Sequence, residues 1–316
     1  MSPLAFAFAA EAGFNPLVAA MSVYFGAVIG GAMPWTSGIL FFSFAADVPG
    51  LADSYGTVWG SNVCQFTIYI AMLLFAYFIT KAHKTKKVPS MAKPEGYNPL
   101  QKKMLVVILI VVVMAIVPNI INAFAPSPVT KWITRNLNIR VLCLLGTLVC
   151  IIMQMANVKD VLMNKVPWGL LTMIAGMCTL VSVGGSMGVT DAAGAFIANS
   201  VPAPLVLPAI AVVGGVLSFF TQGTVVVPLI LGLVPGLAAA SGIDPAIITA
   251  VIIASVQPTG FSPISGGGAM ATIGASDEVR EKLFWPQMGV AFFGMAVCCF
   301  LAAVGYFGWA VGLFVH

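Results

Sequence analysis

Gln257-Pro258-Thr259-Gly260-Phe261-Ser262-Pro263-Ile264-Ser265-Gly266-Gly267-Gly268 stands in the middle of an apolar run that would otherwise read as one helix. Proline removes a backbone donor and clashes with the preceding turn, and glycine admits conformations that other residues avoid. The stretch therefore predicts two half-helices joined by an unwound link. Its flanking arms are apolar enough for a bilayer, which puts the link at membrane depth. Non-helical backbone survives there only when it is buried in protein or lines a cavity. A plain kink would be a packing feature and nothing more, but the segment has a second copy. Residues 13–42 align without a gap on 242–271, with Gly13/Gly242, Pro16/Pro245, Gly31/Gly260, Pro34/Pro263 and Gly38/Gly267 in register.

The composition sets the class. Of the 316 residues 60% are apolar and 8% charged, with a mean hydropathy of +1.03, whereas soluble domains carry about 25% charged residues. Spans are read near 14–45 (broken), 56–80, 104–124, 138–158, 167–183, 205–240 (a hairpin), 244–274 (broken) and 283–314. Lipid offers no hydrogen-bond partners, so these are helices or a closed barrel, and the runs are too long and continuous for barrel strands. The reading is an all-α polytopic membrane protein with inverted repeats, broken helices and a re-entrant hairpin. Two hydrophobic segments interrupted at corresponding positions of two halves point to the binding region of a secondary transporter.

Lysines 81, 84, 86, 87, 93, 102 and 103 crowd the main hydrophilic break, 81–103, against Glu95 alone. The positive-inside rule makes this loop cytoplasmic. It divides the chain into 1–80 (remainder of a first repeat), 81–103 (basic linker) and 104–316 (second repeat). Lys131 and Arg135 then fall awkwardly on the outer side, which an amphipathic or re-entrant piece at 125–140 would relieve. No cleavable leader is read ahead of Glu11, since no positive region precedes Ala5–Ala10. The cysteines (64, 143, 150, 178, 298 and 299) sit in apolar runs without a CxxC pair and read as packing residues. The net charge of +4 comes from lysines beside spans and indicates no nucleic acid.

Three constellations offer chemistry. In the link of residues 257–268, freed carbonyls and the hydroxyls of Thr259, Ser262 and Ser265 form an oxygen-rich set that suits Na⁺. Gly260, Pro263 and Gly266 supply its unwound backbone, and the N-terminal end of the following half-helix can face a carboxylate. The matching link brings Gly31, Pro34, Thr36 and Ser37. The third is Thr221-Gln222-Gly223-Thr224, between apolar arms too short to span, which reads as a polar hairpin tip. Ser182 to Ser186 form a weaker helix break. No Asp, Glu, Lys, Arg or His lies in the middle of a predicted span. A proton relay in a membrane needs ionisable chains, so Na⁺ coupling is favoured over H⁺. No enzyme motif is present to support catalysis, and neither a cofactor nor a metal other than Na⁺ is called for.

Gly260-Phe261-Ser262-Pro263-Ile264-Ser265-Gly266-Gly267-Gly268-Ala269 resembles the G-x-S-P-x-S-x-G-G-A pattern of dicarboxylate (malonate-type) carriers. Those carriers belong to the ion-transporter superfamily, with the divalent-anion/sodium symporters. The Gly-x-Asx-Pro openings Gly13-Phe14-Asn15-Pro16 and Gly242-Ile243-Asp244-Pro245 are similar too. The resemblance implies a carrier of small organic anions, C3–C4 dicarboxylates, coupled to Na⁺ in the bacterial inner membrane. It also implies a homodimer, and carboxylate and Na⁺ meeting between hairpin and broken helix in each half. Where relatives carry Ser-Asn-Thr at the tip, this chain has Thr221-Gln222-Gly223-Thr224. A tip lies about twenty residues ahead of Gly242, and the same distance back from Gly13 runs past Met1. The expectation is the C-terminal two-thirds of a carrier of about 430–460 residues, which alone transports poorly because inverted repeats need both halves. A further chain could supply the missing hairpin. The competing readings are the membrane subunit of a binding-protein-dependent carboxylate transporter and a non-transporting remnant.

Overall fold

A computed structural model describes residues 2–33, 38–81, 96–124, 127–137, 139–166, 201–221 and 223–315, with isolated positions between 168 and 200. No strand occurs among the described residues. The longer helices in chain order are α1 (Ser2–Ala12), α2 (Pro16–Gly31), α3 (Ile39–Ala46), α4 (Ser54–Ile79), α5 (Pro99–Phe124), α6 (Pro128–Asn136) and α7 (Ile139–Ile152). After them come α8 (Val206–Phe220), α9 (Gly223–Leu231), α10 (Val234–Ser241), α11 (Pro245–Thr259), α12 (Gly266–Thr272), α13 (Asp277–Ala303) and α14 (Tyr306–Gly312). The chain forms an all-α polytopic membrane protein: α4, the Pro99–Pro118 part of α5 and α13 are each long and apolar enough to cross a bilayer. Two compact units are present. One comprises Met1–Gly30, Leu40–Val88 and Gly169–His316; the other comprises Gly31–Ile39 and Pro89–Trp168.

The sequence repeat is a repeat of backbone and caps. Gly13 (φ +67°) and Gly242 (φ +70°) both turn left-handed, where a Cβ would strain the chain. Two residues later Asn15 Oδ1 accepts from Leu17 N at 2.9 Å, and Asp244 Oδ1 accepts from Ala246 N at 2.7 Å. These side chains satisfy amides that a helix start leaves without partners. Pro16 and Pro245 then open α2 and α11 with φ already helical.

In the first unit α11 is the core. Ile248, Val251, Ile252, Ile253 and Val256 are wholly buried, enclosed by α4, α8, α9, α10, α13 and α14. Within lipid there is no hydrophobic drive between helices, so small residues that allow close backbone approach decide the packing. Gly214 and Gly215 on α8 face Ser255 and Thr259 of α11. A Cβ on Gly60 would lie 2.7 Å from Val311 Cα of α14. One on Gly294 of α13 would lie 2.6 Å from Met72 Sδ and 2.8 Å from Pro258 Cβ, so α4, α11 and α13 meet there. Phe75 of α4 stacks on Phe293 of α13 with ring centroids 3.9 Å apart.

In the second unit α5 packs against α7, with Val111 Cγ2 3.0 Å from the Cβ position of Gly146. Between them α6 is a short amphipathic helix started by a capping box, in which Ser127 and Thr130 each accept from the other's backbone. It occupies the place where the charges at Lys131 and Arg135 called for one. Several boundaries differ from the sequence reading, among them that of the span read at 138–158, whose helix α7 ends at Ile152. The span read at 283–314 is two helices, because Gly305 turns left-handed (φ +77°) and ends the ladder. Its start lies earlier, at Asp277, since the charged turn Asp277–Lys282 is helical and exposed. At the basic break, α5 already begins at Pro99, which places Lys102 and Lys103 in helix; residues 82–95 lie outside the described residues, as does most of 167–183.

Candidate functional site

The run 244–274 is broken as its prolines and glycines predict. Helix α11 ends at Thr259, α12 begins at Gly266, and the link between them is closed by its own hydroxyls. Ser265 is the cap of α12: its Oγ accepts from Gly268 N at 3.1 Å and donates back to the carbonyls of Gly260 and Ser262. Ser262 Oγ accepts from Ile264 N at 3.2 Å, and Thr259 Oγ1 bonds weakly to Val256 O at 3.5 Å. All three hydroxyls are wholly buried. Pro263 is partly exposed and Ile264 is 40% exposed, so the link reaches the protein surface at its far bend.

Glycine is required where the link folds back. A Cβ on Gly267 would lie 2.7 Å from the Gly260 carbonyl oxygen, and one on Gly268 would run into the Ser262 carbonyl. The first link repeats the contact at equivalent positions: a Cβ on Gly38 would lie 2.6 Å from the Gly31 carbonyl oxygen. Thus Gly31/Gly260 and Gly38/Gly267, paired in the alignment, are the two sides of one fold-back made twice. Pro34, Thr36 and Ser37 lie outside the described residues.

The hairpin also forms. Helix α8 ends at Phe220, with the extended Thr221, 5% exposed, after it, and α9 starts at Gly223; α9 and α10 follow with a 52° bend between them. A 15-residue α8 rises about 22 Å, shorter than the ~30 Å of a bilayer core. Its tip sits against the end of α11. Ser218 Oγ donates to the Val256 carbonyl, and the Cβ position of Gly223 is 2.9 Å from Val256 Cγ2 and 3.6 Å from Gln257 Oε1. The tip (Thr221, Gly223, Thr224) and the link (Thr259, Gly260, Ser262, Pro263, Ser265, Gly266) are therefore brought together around the last turn of α11. Gln222 lies outside the described residues.

Two residues that hold the link were not singled out from the sequence. Tyr24, on α2 of the first repeat, donates its hydroxyl to the Gln257 carbonyl at 2.6 Å; its ring lies 5.3 Å from that of Phe261 and covers Gly260 and Gly267. Gln287 of α13, 1% exposed, donates Nε2 to the carbonyls of Phe261 at 2.7 Å and Gly268 at 3.2 Å. The available signal was a lone amide deep in an apolar run, which needs a partner inside a membrane. Part of the oxygen set read as free is thus in use. The Phe261 and Gly268 carbonyls accept from Gln287, and Ser265 is committed to its cap.

Among the described residues no group of His, Cys, Asp or Glu could hold a metal ion. No curated protein matches the sequence. Residues 1–255 match the citrate transporter family, and the chain belongs to that family. The match ends two residues ahead of Gln257, so the link itself is characterised by its geometry and by the internal repeat.

Proposed function

We propose that this member of the citrate transporter family binds its citrate-type anion where the hairpin tip meets the second link, and takes Na⁺ as the coupling ion. The family makes it a secondary transporter of citrate-type anions in a membrane; the site and the ion are the further step. The observation that carries it is the meeting of the polar hairpin tip and the unwound link at the buried end of α11, where the last turn of α8 is tied to the last turn of α11 by the Ser218 bond to Val256. Thr221, Gln222 and Thr224 supply uncharged donors to a carboxylate. Thr259 and Ser262 offer hard oxygens of the kind that bind alkali and alkaline-earth ions. No Asp, Glu, Lys, Arg or His stands in the interior of a described span helix, which favours Na⁺ over a side-chain proton relay. C3–C4 dicarboxylates fit the same donors, and the basic stretch around 81–103 orients the chain with that loop in the cytoplasm.

Ligand-induced melting of the purified protein tests this reading. Citrate at about 100 times its Kd adds about 2.7 kcal/mol of stability, and it should do so in NaCl and not in choline chloride. Equal stabilisation in both salts would sink the Na⁺ assignment. No stabilisation by citrate, malonate or succinate in either would sink the site.

A further inference from the structure

Gln65 of α4 is 2% exposed, and neither its amide oxygen nor its amide nitrogen has a hydrogen-bond partner among the described residues. One turn on, the hydroxyl of Tyr69 (1% exposed) is unpartnered as well. Residues four apart on a helix are surface neighbours, so these groups form one column. The column faces α11. On one side of it Ser61 Oγ donates to the Ala250 carbonyl at 3.1 Å, and on the other Met72 and Pro258 both border the Cβ position of Gly294 on α13. Helices α4 and α11 thus run in the same direction. Their first turns agree, since the capping carboxylates of Asp53 and Asp244 line one cavity of about 560 Å³ at the start of both.

That register sets Gln65 opposite the turn of α11 that follows Ala250. This turn contains Ala254, whose carbonyl would ordinarily accept from the amide of residue 258. Residue 258 is proline and has no amide hydrogen. An amide donor, an amide acceptor and a phenol therefore stand without partners in a buried seam beside α11, along a turn whose Ala254 carbonyl lacks its usual amide donor. Leaving both ends of a buried amide unmet is costly, and more so where lipid rather than water surrounds the bundle.

We infer that Gln65 and Tyr69 hold water between α4 and α11, a hydration site behind the broken link. The ligand must donate and accept at once, which water does. A bare cation would leave the Gln65 nitrogen unmet, and a carboxylate would leave its oxygen unmet. Buried water of this kind makes about three hydrogen bonds to groups that lack other partners. The Tyr69 ring packs on Phe25 with centroids 4.8 Å apart, and Phe25 lies 6.0 Å from Phe261 of the link. The water accordingly sits behind an aromatic layer that backs the link, giving α4 a wet flank. This inference stands whether or not the link binds citrate.

Hydroxyl-radical footprinting of the intact protein is the test, because radiolysis activates bound as well as bulk water. Tyr69 should be oxidised within about tenfold of the rate of exposed Tyr97, despite its burial, if water is held beside it. Gln65→Met, similar in shape and apolar, should then slow Tyr69 oxidation and lower the melting temperature, since it removes two partners from the water. An unmodified Tyr69 in the native protein would overturn the inference, and so would a Gln65→Met variant that melts higher, as removal of an unmet amide from a dry seam predicts.

Discussion

Replacing Gly268 by alanine forces a methyl group into the Ser262 carbonyl, with the Phe261 carbonyl 2.5 Å away on the same side. Both obstacles are backbone, and the Phe261 carbonyl is tied to Gln287, so no side-chain rotation relieves the clash. Overpacking of this kind costs about 1–3 kcal/mol. The displaced residue also carries the amide that donates to Ser265 Oγ, and loss of a helix cap adds about 1 kcal/mol. The expected loss is thus about 2–4 kcal/mol, or a melting temperature lower by about 4–16 °C at roughly 2–4 °C per kcal/mol. Gly289→Ala is the matched control. Nothing lies within 4 Å of its Cβ position in α13, and alanine is the better helix former by about 1 kcal/mol, so it should melt at or above the wild-type temperature. Detergent melts followed by size-exclusion chromatography read both. A Gly268→Ala protein that melts within about 2 °C of wild type would refute the fold-back as the reason for glycine.

Gln287→Leu should cost about 2–3 kcal/mol, because the Phe261 and Gly268 carbonyls lose their shared donor in a site closed to water. It should also weaken stabilisation by citrate; an unchanged melt would remove Gln287 from the support of the link. Gly13→Ala and Gly242→Ala should each cost about 1–2 kcal/mol through backbone strain alone, since no atom lies within 4 Å of either Cβ position. Losses that differ by more than about 1 kcal/mol in the melts would break the equivalence of the two repeats.

The elements that could be read from the sequence are those that break a local rule. Proline and glycine inside an apolar run announce the link, and the polar Thr221–Thr224 stretch between short arms announces the hairpin, because both oppose helix where helix is otherwise demanded. The Gly-x-Asx-Pro openings at Asn15 and Asp244 stood out as a resemblance, and their capping role came only with the structure. Tyr24 and Gln287 were not legible, since their partners are 233 and 19–26 residues away and nothing local marks the pairing. The break at Gly305 was hidden because glycine is ordinary within membrane helices, and only the left-handed turn distinguishes it. The hydroxyls read from the link lie in or beside the unwound segment, but the direction of Ser265 was not read. Ser265 faces the helix it caps, and that follows from the fold-back rather than from residue type.

The enclosure of α11 also bears on how the protein meets bilayers of different thickness. Helix α5, of 26 residues, is about 39 Å long and exposes Ile108, Leu109 and Ile110 along its apolar side. It therefore adjusts to hydrophobic mismatch by tilting or by distorting nearby lipid. Helix α11, of 15 residues, is about 22 Å long and wrapped by other helices, so it has almost no lipid-facing surface on which mismatch could act. Acyl-chain length should then shift the unfolding of the protein as a whole while leaving the geometry at Thr259–Gly268 unaltered, so that the candidate site is insulated from the membrane that surrounds it.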